Sequence, residues 1–248
     1  MVRQTARDAA VLEVLAQQYG LPQDVLASVL GVSLSRASGL VSRWKQAGWA
    51  RAGQIDGGAR WVWPSRVMAR ELLGWDPGPW MPRPGCVAHV RAVGALRLHR
   101  VGLDVGRWES HRALAHQAAE MARAAQAMRS VHVPDGVQVM RDGRRLLVQV
   151  ELSLRARSVY LEPAPTDGRA DWPQGLLADV ASRARELECM GVVWWCPPQV
   201  VAPLEAVMSE FAARSSVRRA RSGAVLPAGL RWAVKSLAEV PCWRPGPS

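Results

Sequence analysis

The sequence predicts an α+β protein with two domains: a small helical N-terminal domain that ends in a β-hairpin, and a larger α/β domain around a mixed sheet. The length of 248 residues suits one large domain or two small ones of about 100–150 residues each. Hydrophobic residues make up 49% of the chain, which is enough apolar material for a packed core. Residues 76–85 hold four prolines and two glycines, which exclude a helix or an interior strand there. We therefore expect domains at 1–75 and 86–248 with a linker at 76–85.

Composition also indicates in which cellular compartment the protein is expected. No stretch approaches the roughly 18–20 consecutive apolar residues of a membrane span, so we expect no membrane partner. The first residues lack the apolar run of a signal peptide. The four cysteines form no Cys-x-x-Cys pair, which disfavours a disulfide scaffold and a four-thiolate zinc site. These features favour a cytoplasmic protein.

The charge balance favours a polyanionic partner. The chain has 32 Lys and Arg against 21 Asp and Glu, a formal net charge of +11 at pH 7. Such a surface attracts nucleic acid, and we expect duplex DNA as the partner and a nucleoid-associated location. The only lysines are Lys45 and Lys235, an arginine bias that a GC-rich genome would also produce.

Periodicity and turn residues divide the N-terminal domain into three helices and a hairpin. The helices are expected over about 6–19, 22–30 and 34–47. Gly31-Val32-Ser33 forms the tight turn before the third helix, and Ser33 is a favourable N-cap. Residues 50–63 alternate around Asp56-Gly57-Gly58, a hairpin turn signal. This order is typical of a winged helix-turn-helix.

The outer face of the third predicted helix carries small, polar and basic side chains and no acid. Small residues let the backbone enter a DNA groove, while arginine and serine reach base edges and phosphates. The predicted DNA-binding residues on the helix and on the hairpin strands are Ser33, Ser35, Arg36, Ser38, Ser42, Arg43, Lys45, Arg51 and Arg60. The alternative is that the same surface serves protein contacts only.

The second domain reads as helices around a hairpin and a buried strand. Helices are expected over 86–103, 108–128, 173–189 and 200–213, and strands over 131–139, 146–154 and 191–196. This order is compatible with a small nuclease core built around paired carboxylates.

Three carboxylates are the candidates for such a core. Asp135 follows a proline at the start of one strand, Glu151 lies on its hairpin partner, and Glu109 lies on the preceding helix. Asp135 and Glu151 would hold Mg²⁺ against a scissile phosphate, with Glu109 in support. Gln149 stands two residues before Glu151, and an uncharged amide is a weaker ligand for a divalent cation.

Each of these acids also has a structural explanation. Asp135 before Gly136 would shape a turn, and Glu151 would face solvent or pair with Arg144 or Arg155. Glu109 would interact favourably with a helix dipole in a first turn.

Four short motifs, in order, resemble the replication-relaxation family of actinobacterial plasmids and integrated elements. They are His89-Val90-Arg91-Ala92-Val93, Trp108-Glu109-Ser110-His111-Arg112, Pro134-Asp135-Gly136 and Val148-Gln149-Val150-Glu151-Leu152-Ser153. The resemblance implies a winged helix joined to a PD-(D/E)XK nuclease-like domain, with a role on a plasmid or other mobile element. The chain departs from the family pattern at His111 and Gln149, where the family usually has acids.

The leading hypothesis is a double-stranded DNA-binding protein whose winged helix reads a site. Its nuclease-like domain would be degenerate, would require no cofactor and would contact DNA backbone or partner proteins. One alternative is a Mg²⁺-dependent endonuclease that uses Asp135 and Glu151. Another is an adaptor that meets plasmid or phage replication or transfer proteins. A homodimer is the expected oligomer.

Overall fold

A computed structural model describes residues 3–55, 58–126, 131–161, 175–222 and 230–243, with the backbone alone over 215–222. The chain is α+β and divides into two compact units. Unit 1 comprises Met1–Ala113 and Val240–Ser248, and unit 2 comprises Leu114–Glu239. The division falls after Ala113, within a helix, and differs from the boundary predicted at 76–85.

Unit 1 contains helices around a small antiparallel sheet. Its elements are α1 (Ala6–Gln17), β1 (Leu21–Pro22), α2 (Gln23–Val29), α3 (Leu34–Gln46), β2 (Ala50–Gln54), β3 (Arg60–Pro64), α4 (Arg66–Leu73), α5 (Pro84–Val101) and β4 (Trp108–Ser110). The first three strands lie in the order β1-β3-β2. The apolar faces of α1, α2 and α3 contribute a large part of the core, including the fully buried Val11, Leu15 and Leu26. Asp56 and Gly57 of the predicted turn lie outside the described residues.

Close packing explains why α5 belongs to unit 1 and not to the second domain. Gly94 lies so close to the Leu21 side chain that an added Cβ would overlap it. Arg91 also forms an ion pair with Asp24 of α2, in which Arg91 Nη1 donates to Asp24 Oδ1 at 2.9 Å. The Pro-rich segment before α5 therefore interrupts helix formation without separating two domains.

Unit 2 is built around a mixed sheet. Its elements are α6 (His111–Ala124), which begins in unit 1, then β5 (Gly136–Val139), β6 (Arg145–Val150), α7 (Arg157–Leu161), α8 (Leu176–Glu186), β7 (Gly191–Cys196), α9 (Pro198–Ser222) and β8 (Arg231–Ser236). Strands β5 to β8 lie side by side in chain order, with β5 antiparallel to β6 and the other pairs parallel. Trp194 and Tyr160 pack edge to face in the core.

The observed strands correct three predictions about candidate residues. Glu109 lies on strand β4, just before α6, and not in the first turn of a helix. Asp135 lies just before β5, and Glu151 lies just after β6, because both strands are shorter than predicted. Strand β8 was not predicted.

Among the described residues, no single helix is long and apolar enough to span a bilayer. Helices α2 and α3 taken together have the length and apolar composition of a membrane span, but they are bent by 108° at their junction.

Candidate nucleic-acid interface

The start of α3 is fixed by its N-cap. Ser33 is extended, and its Oγ accepts a hydrogen bond from the Arg36 backbone N–H at 3.3 Å. This bond satisfies one of the amides that a helix start leaves without an intrahelical partner. Ser33 is exposed, but its hydroxyl is engaged in the cap.

The buried side of α3 is anchored to α1 by a polar contact. Trp44 is almost fully buried, and its Nε1 donates to Asp8 Oδ1 at 3.0 Å. Asp8 also accepts hydrogen bonds from the backbone N–H and the hydroxyl of Thr5. Burial acts to raise the pKa of Asp8, but the bonds from Thr5 and Trp44, together with the Arg43 charge, outweigh burial and lower this pKa. A charged, fully bonded carboxylate therefore fixes the orientation of α3.

The opposite side of α3 is exposed. Ser35, Gly39, Ser42 and Gln46 recur at helical spacing along its centre. The basic residues flank this line, with Arg36 and Arg43 two turns apart on one side and Lys45 on the other. All seven residues are exposed. We call them the α3 outer face.

Ser38 differs from the other predicted contacts. It is half-buried, and its Oγ donates to Gln23 Oε1 at 3.2 Å, which links α3 to α2. Gln23 is itself buried. The hydroxyl of Ser38 is therefore used to hold the two helices together.

The cations of the α3 outer face have no ion-pair partner among the residues that the structure describes. Arg36, Arg43 and Lys45 form no salt bridge there, and α3 contains no acidic residue. Elsewhere in unit 1, Arg66 pairs with Asp76, and Arg91 pairs with Asp24. The positive charge on α3 is therefore not neutralised by a direct contact within the described chain.

Gly39 leaves an open space in the middle of this face. A Cβ built there would meet nothing within 4 Å. A glycine inside an exposed helix costs about 1 kcal/mol of stability relative to alanine. Packing within the described residues gives no reason for this glycine.

The hairpin β2–β3 places its two predicted contacts on opposite faces. Arg51 pairs with Trp63, and Arg60 pairs with Gln54. Since alternate residues of a strand point to opposite sides, Arg51 and Arg60 project from different faces of the hairpin. Both are exposed, but a surface that lies against one face of these strands meets only one of the two.

Sequence reasoning left out two exposed residues of α3. Gln46 lies on the outer face, and Leu34, in the first turn, is 56% exposed. Helical periodicity could have found both, because neither falls on the stripe of Ala37, Leu40, Val41 and Trp44.

The three candidate carboxylates do not belong to one unit. Glu109 lies in unit 1, whereas Asp135 and Glu151 lie in unit 2. Asp135 is 9% exposed, and its Oδ2 accepts the Val150 backbone N–H at 2.7 Å. This carboxylate therefore binds the backbone at the end of β6.

Glu151 is held by two neighbours. Its carboxylate forms an ion pair with Arg155, whose Nε lies 3.3 Å away, and a hydrogen bond with the Tyr160 hydroxyl. Tyr160 is fully buried, and burial followed by the Glu151 charge raises its pKa to about 12, although a backbone bond from Arg155 opposes this. The same charge, after burial, raises the pKa of Cys196 to about 11.

The guanidinium of Arg155 lies beside the Glu151 carboxylate, and one oxygen of Asp135 accepts a backbone hydrogen bond. Gln149 Nε2 lies 2.6 Å from His132 Nε2, so the amide nitrogen is bonded within unit 2. Within the described residues, no three His, Cys, Asp or Glu side chains are grouped as metal ligands.

The chain was compared with protein-family models, with curated proteins and with solved structures. None of the three found a match for this chain.

Proposed function

We propose that unit 1 binds double-stranded DNA as a winged helix-turn-helix, with α3 as the recognition helix. The observation that carries this proposal is the α3 outer face. It combines a line of uncharged residues, most of them small, with three cations that form no salt bridge to any described residue. Such a face suits a close, negatively charged surface.

The angle between the helices supports this assignment. Helices α2 and α3 are bent by 108° across a short break. Helix-turn-helix motifs join two helices at about 90–120° through a turn of three or four residues. A helix of 10–12 Å diameter fits a major groove about 12 Å wide. The hairpin β2–β3 would then serve as the wing, with either Arg51 or Arg60 towards a phosphate.

For unit 2 we propose a nuclease-like domain in which Asp135 and Glu151 have structural and not catalytic tasks. Both carboxylates are buried and bonded to their own unit. Duplex DNA is the proposed partner of the whole chain. A role on a plasmid or other mobile element, a homodimer and a nucleoid location stay predictions.

The test compares duplex binding by the full chain and by a double variant. In fluorescence anisotropy at moderate salt, Arg36→Ala with Arg43→Ala is expected to weaken binding about tenfold or more, since each lost arginine removes a contact to DNA. The matched control is Arg70→Ala with Arg185→Ala. These two arginines are exposed, lie outside α3 and remove the same net charge.

The control should retain most of its affinity. Binding by the unchanged chain should also fall steeply with salt, because phosphate contacts release counterions. Equal losses in both double variants would reduce the interaction to net charge alone. Undiminished binding in the α3 variant, or the absence of salt-dependent binding, would overturn the proposal and favour the adaptor hypothesis.

A further inference from the structure

We propose that unit 2 has a DNA-binding surface of its own on strand β8, where Arg231 and Lys235 bind phosphates of the duplex backbone. These two residues, with Ala233 between them, form what we call the β8 surface. The inference deepens the proposed function: it rests on duplex DNA as the partner of the chain, but it does not depend on α3. The β8 surface would bind duplexes of any sequence.

The two cations project from the same face of β8. They are four residues apart, and alternate residues of a strand point to opposite sides. Trp232 and Val234, on the other face, pack against the core of unit 2, where the Trp232 ring lies 6.1 Å from the Phe211 ring of α9. Arg231 and Lys235 are therefore exposed on the face opposite to this core.

Their charges are not neutralised by a salt bridge within the described residues. Strands β6, β7 and β8 contain no Asp or Glu, and neither Arg231 nor Lys235 forms an ion pair with a described acid. Arg144, Arg157 and Arg214 of unit 2 are also exposed, but each of them pairs with an Asp or Glu. The β8 surface therefore keeps a positive charge that suits a polyanion.

The ring of Trp195 on β7 orients Lys235. Lys235 Nζ lies 5.7 Å from the ring centroid, a distance at which a cation and an aromatic ring attract each other. Trp195 is only 3% exposed, so its ring is not available to stack on an unpaired base. The β8 surface therefore offers charge without a stacking platform, which favours the phosphates of a duplex over single-stranded DNA.

The spacing of the two cations also suits a DNA backbone. Four residues of a strand span about 13 Å, whereas phosphates follow each other about every 3.4 Å along the axis of one DNA strand. Arg231 and Lys235 can therefore reach different phosphates, and the small side chain of Ala233 between them does not hold the duplex away. Contacts of this kind position DNA and carry no sequence information directly.

The experiment measures binding of a random-sequence duplex to the full chain by fluorescence anisotropy over a series of salt concentrations. The test variant is Arg231→Gln with Lys235→Gln, and the matched control is Arg141→Gln with Arg185→Gln. All four side chains are exposed in unit 2, and each pair removes the same charge. The test variant should lower the magnitude of the slope of log affinity against log salt by about 1.8, because two phosphate contacts are lost, and its affinity at moderate salt should fall about fivefold. The control should change neither quantity appreciably.

Two single substitutions separate a phosphate contact from a change in the fold. Lys235→Gln should lower the magnitude of the slope by about 0.9, whereas Lys235→Arg keeps the charge and should keep the slope. Urea denaturation should show the same unfolding transition for these variants and the unchanged chain, because Lys235 is exposed. An equal loss of slope in Lys235→Arg would overturn the inference, since charge would then not be what binds DNA.

Three outcomes overturn the inference and leave the winged-helix proposal standing, provided that Arg36→Ala with Arg43→Ala weakens binding. The first is an unchanged salt slope in the test variant. The second is an equal loss in the test variant and its control, which would reduce the effect to net charge. The third is unchanged DNA binding with self-association in light scattering. In that case the cations protect β8, the last strand of the sheet, against pairing with another strand.

The reverse result is equally distinct. If the α3 double variant binds as the unchanged chain does and the test variant loses the expected slope, the winged-helix proposal fails and the β8 surface stands. If the unchanged chain shows no salt-dependent binding to duplex DNA, both fail.

Discussion

The α3 outer face in unit 1 and the carboxylates of unit 2 are both polar, but they differ in what surrounds them. Arg36 and Arg43 are exposed and form no salt bridge with the described residues. Asp135 and Glu151 are buried and bind groups of their own unit. Both sets are candidate sites by sequence. Only the first is accessible to a large external ligand.

The cost of each arrangement explains this difference. Burying a carboxylate costs several kcal/mol of folding free energy unless the carboxylate is hydrogen-bonded. The bond from Val150 to Asp135 and the ion pair of Arg155 with Glu151 offset this cost in unit 2. An exposed glycine within a helix lowers stability and gains nothing in the described chain. A feature that internal packing explains needs no ligand, whereas the exposed α3 outer face stays open to one.

The largest expected effect is a loss of stability on substitution of Asp135. Asp135→Ala leaves the buried Val150 N–H without this acceptor, and the free energy of unfolding should fall by about 2 kcal/mol. Arg36→Ala should change it by less than about 0.5 kcal/mol. Urea denaturation measures both, and hydrogen exchange at the Val150 amide should accelerate in the first variant alone.

Glu205→Ala is the matched control in unit 2, because Glu205 is an exposed acid on α9. It should leave the unfolding free energy nearly unchanged. If Asp135→Ala leaves the unfolding free energy unchanged, the carboxylate is not structural. If the unchanged chain cleaves DNA with Mg²⁺ and Asp135→Ala does not, the nuclease hypothesis is restored.

A medium effect of opposite sign is expected at Gly39. Gly39→Ala should raise the unfolding free energy by about 1 kcal/mol, because alanine is the better helix former and its methyl meets nothing. The same methyl should weaken duplex binding by filling the space that a groove wall would occupy. Thermal unfolding and anisotropy measure the two changes.

Gly85→Ala is the control for this substitution. Gly85 lies in the first turn of α5, and a Cβ there also meets nothing within 4 Å. This variant should leave DNA affinity unchanged. If Gly39→Ala stabilises the chain without any loss of affinity, the open space on α3 is not a contact surface.

Sequence periodicity located the local elements well and the long-range contacts poorly. Helices α1, α2 and α3 begin and end within about two residues of the prediction, because their apolar stripes and caps lie in adjacent residues. The place of α5 could not be predicted, since it depends on Gly94 meeting Leu21, which lies far away in the chain. Pro-rich composition indicates where a helix stops and does not indicate which units pack together.

The candidate site shows the same limit. The exposure of Ser35, Arg36 and Ser42 follows from helical spacing alone and was predicted. The use of Ser38 to bind Gln23 depends on how α2 lies against α3, and the opposite faces of Arg51 and Arg60 depend on hairpin register. Neither is encoded in a pattern of neighbouring residues.

The smallest expected effect is at Asp179 of unit 2, whose carboxylate has no hydrogen bond among the described residues. Burial raises the pKa of Asp179, in the first turn of α8, to about 6. Because the folded state favours the neutral acid, this contribution to stability is full below about pH 4 and is lost as the pH rises through 6. Asp179→Asn should therefore raise the unfolding midpoint at pH 7.5 by about 1–2 °C and have little effect at pH 4.

Asp142→Asn should behave in the opposite way. The Arg144 backbone N–H bond outweighs the small effect of burial, and the Arg144 side chain adds to it, so the pKa of Asp142 is lowered. Its contribution is present above about pH 4 and is lost as the pH falls further. At pH 7.5 this substitution should lower the midpoint slightly where Asp179→Asn raises it. If both substitutions shift the unfolding midpoint in the same direction, bonding to neighbours does not distinguish these two acids of unit 2.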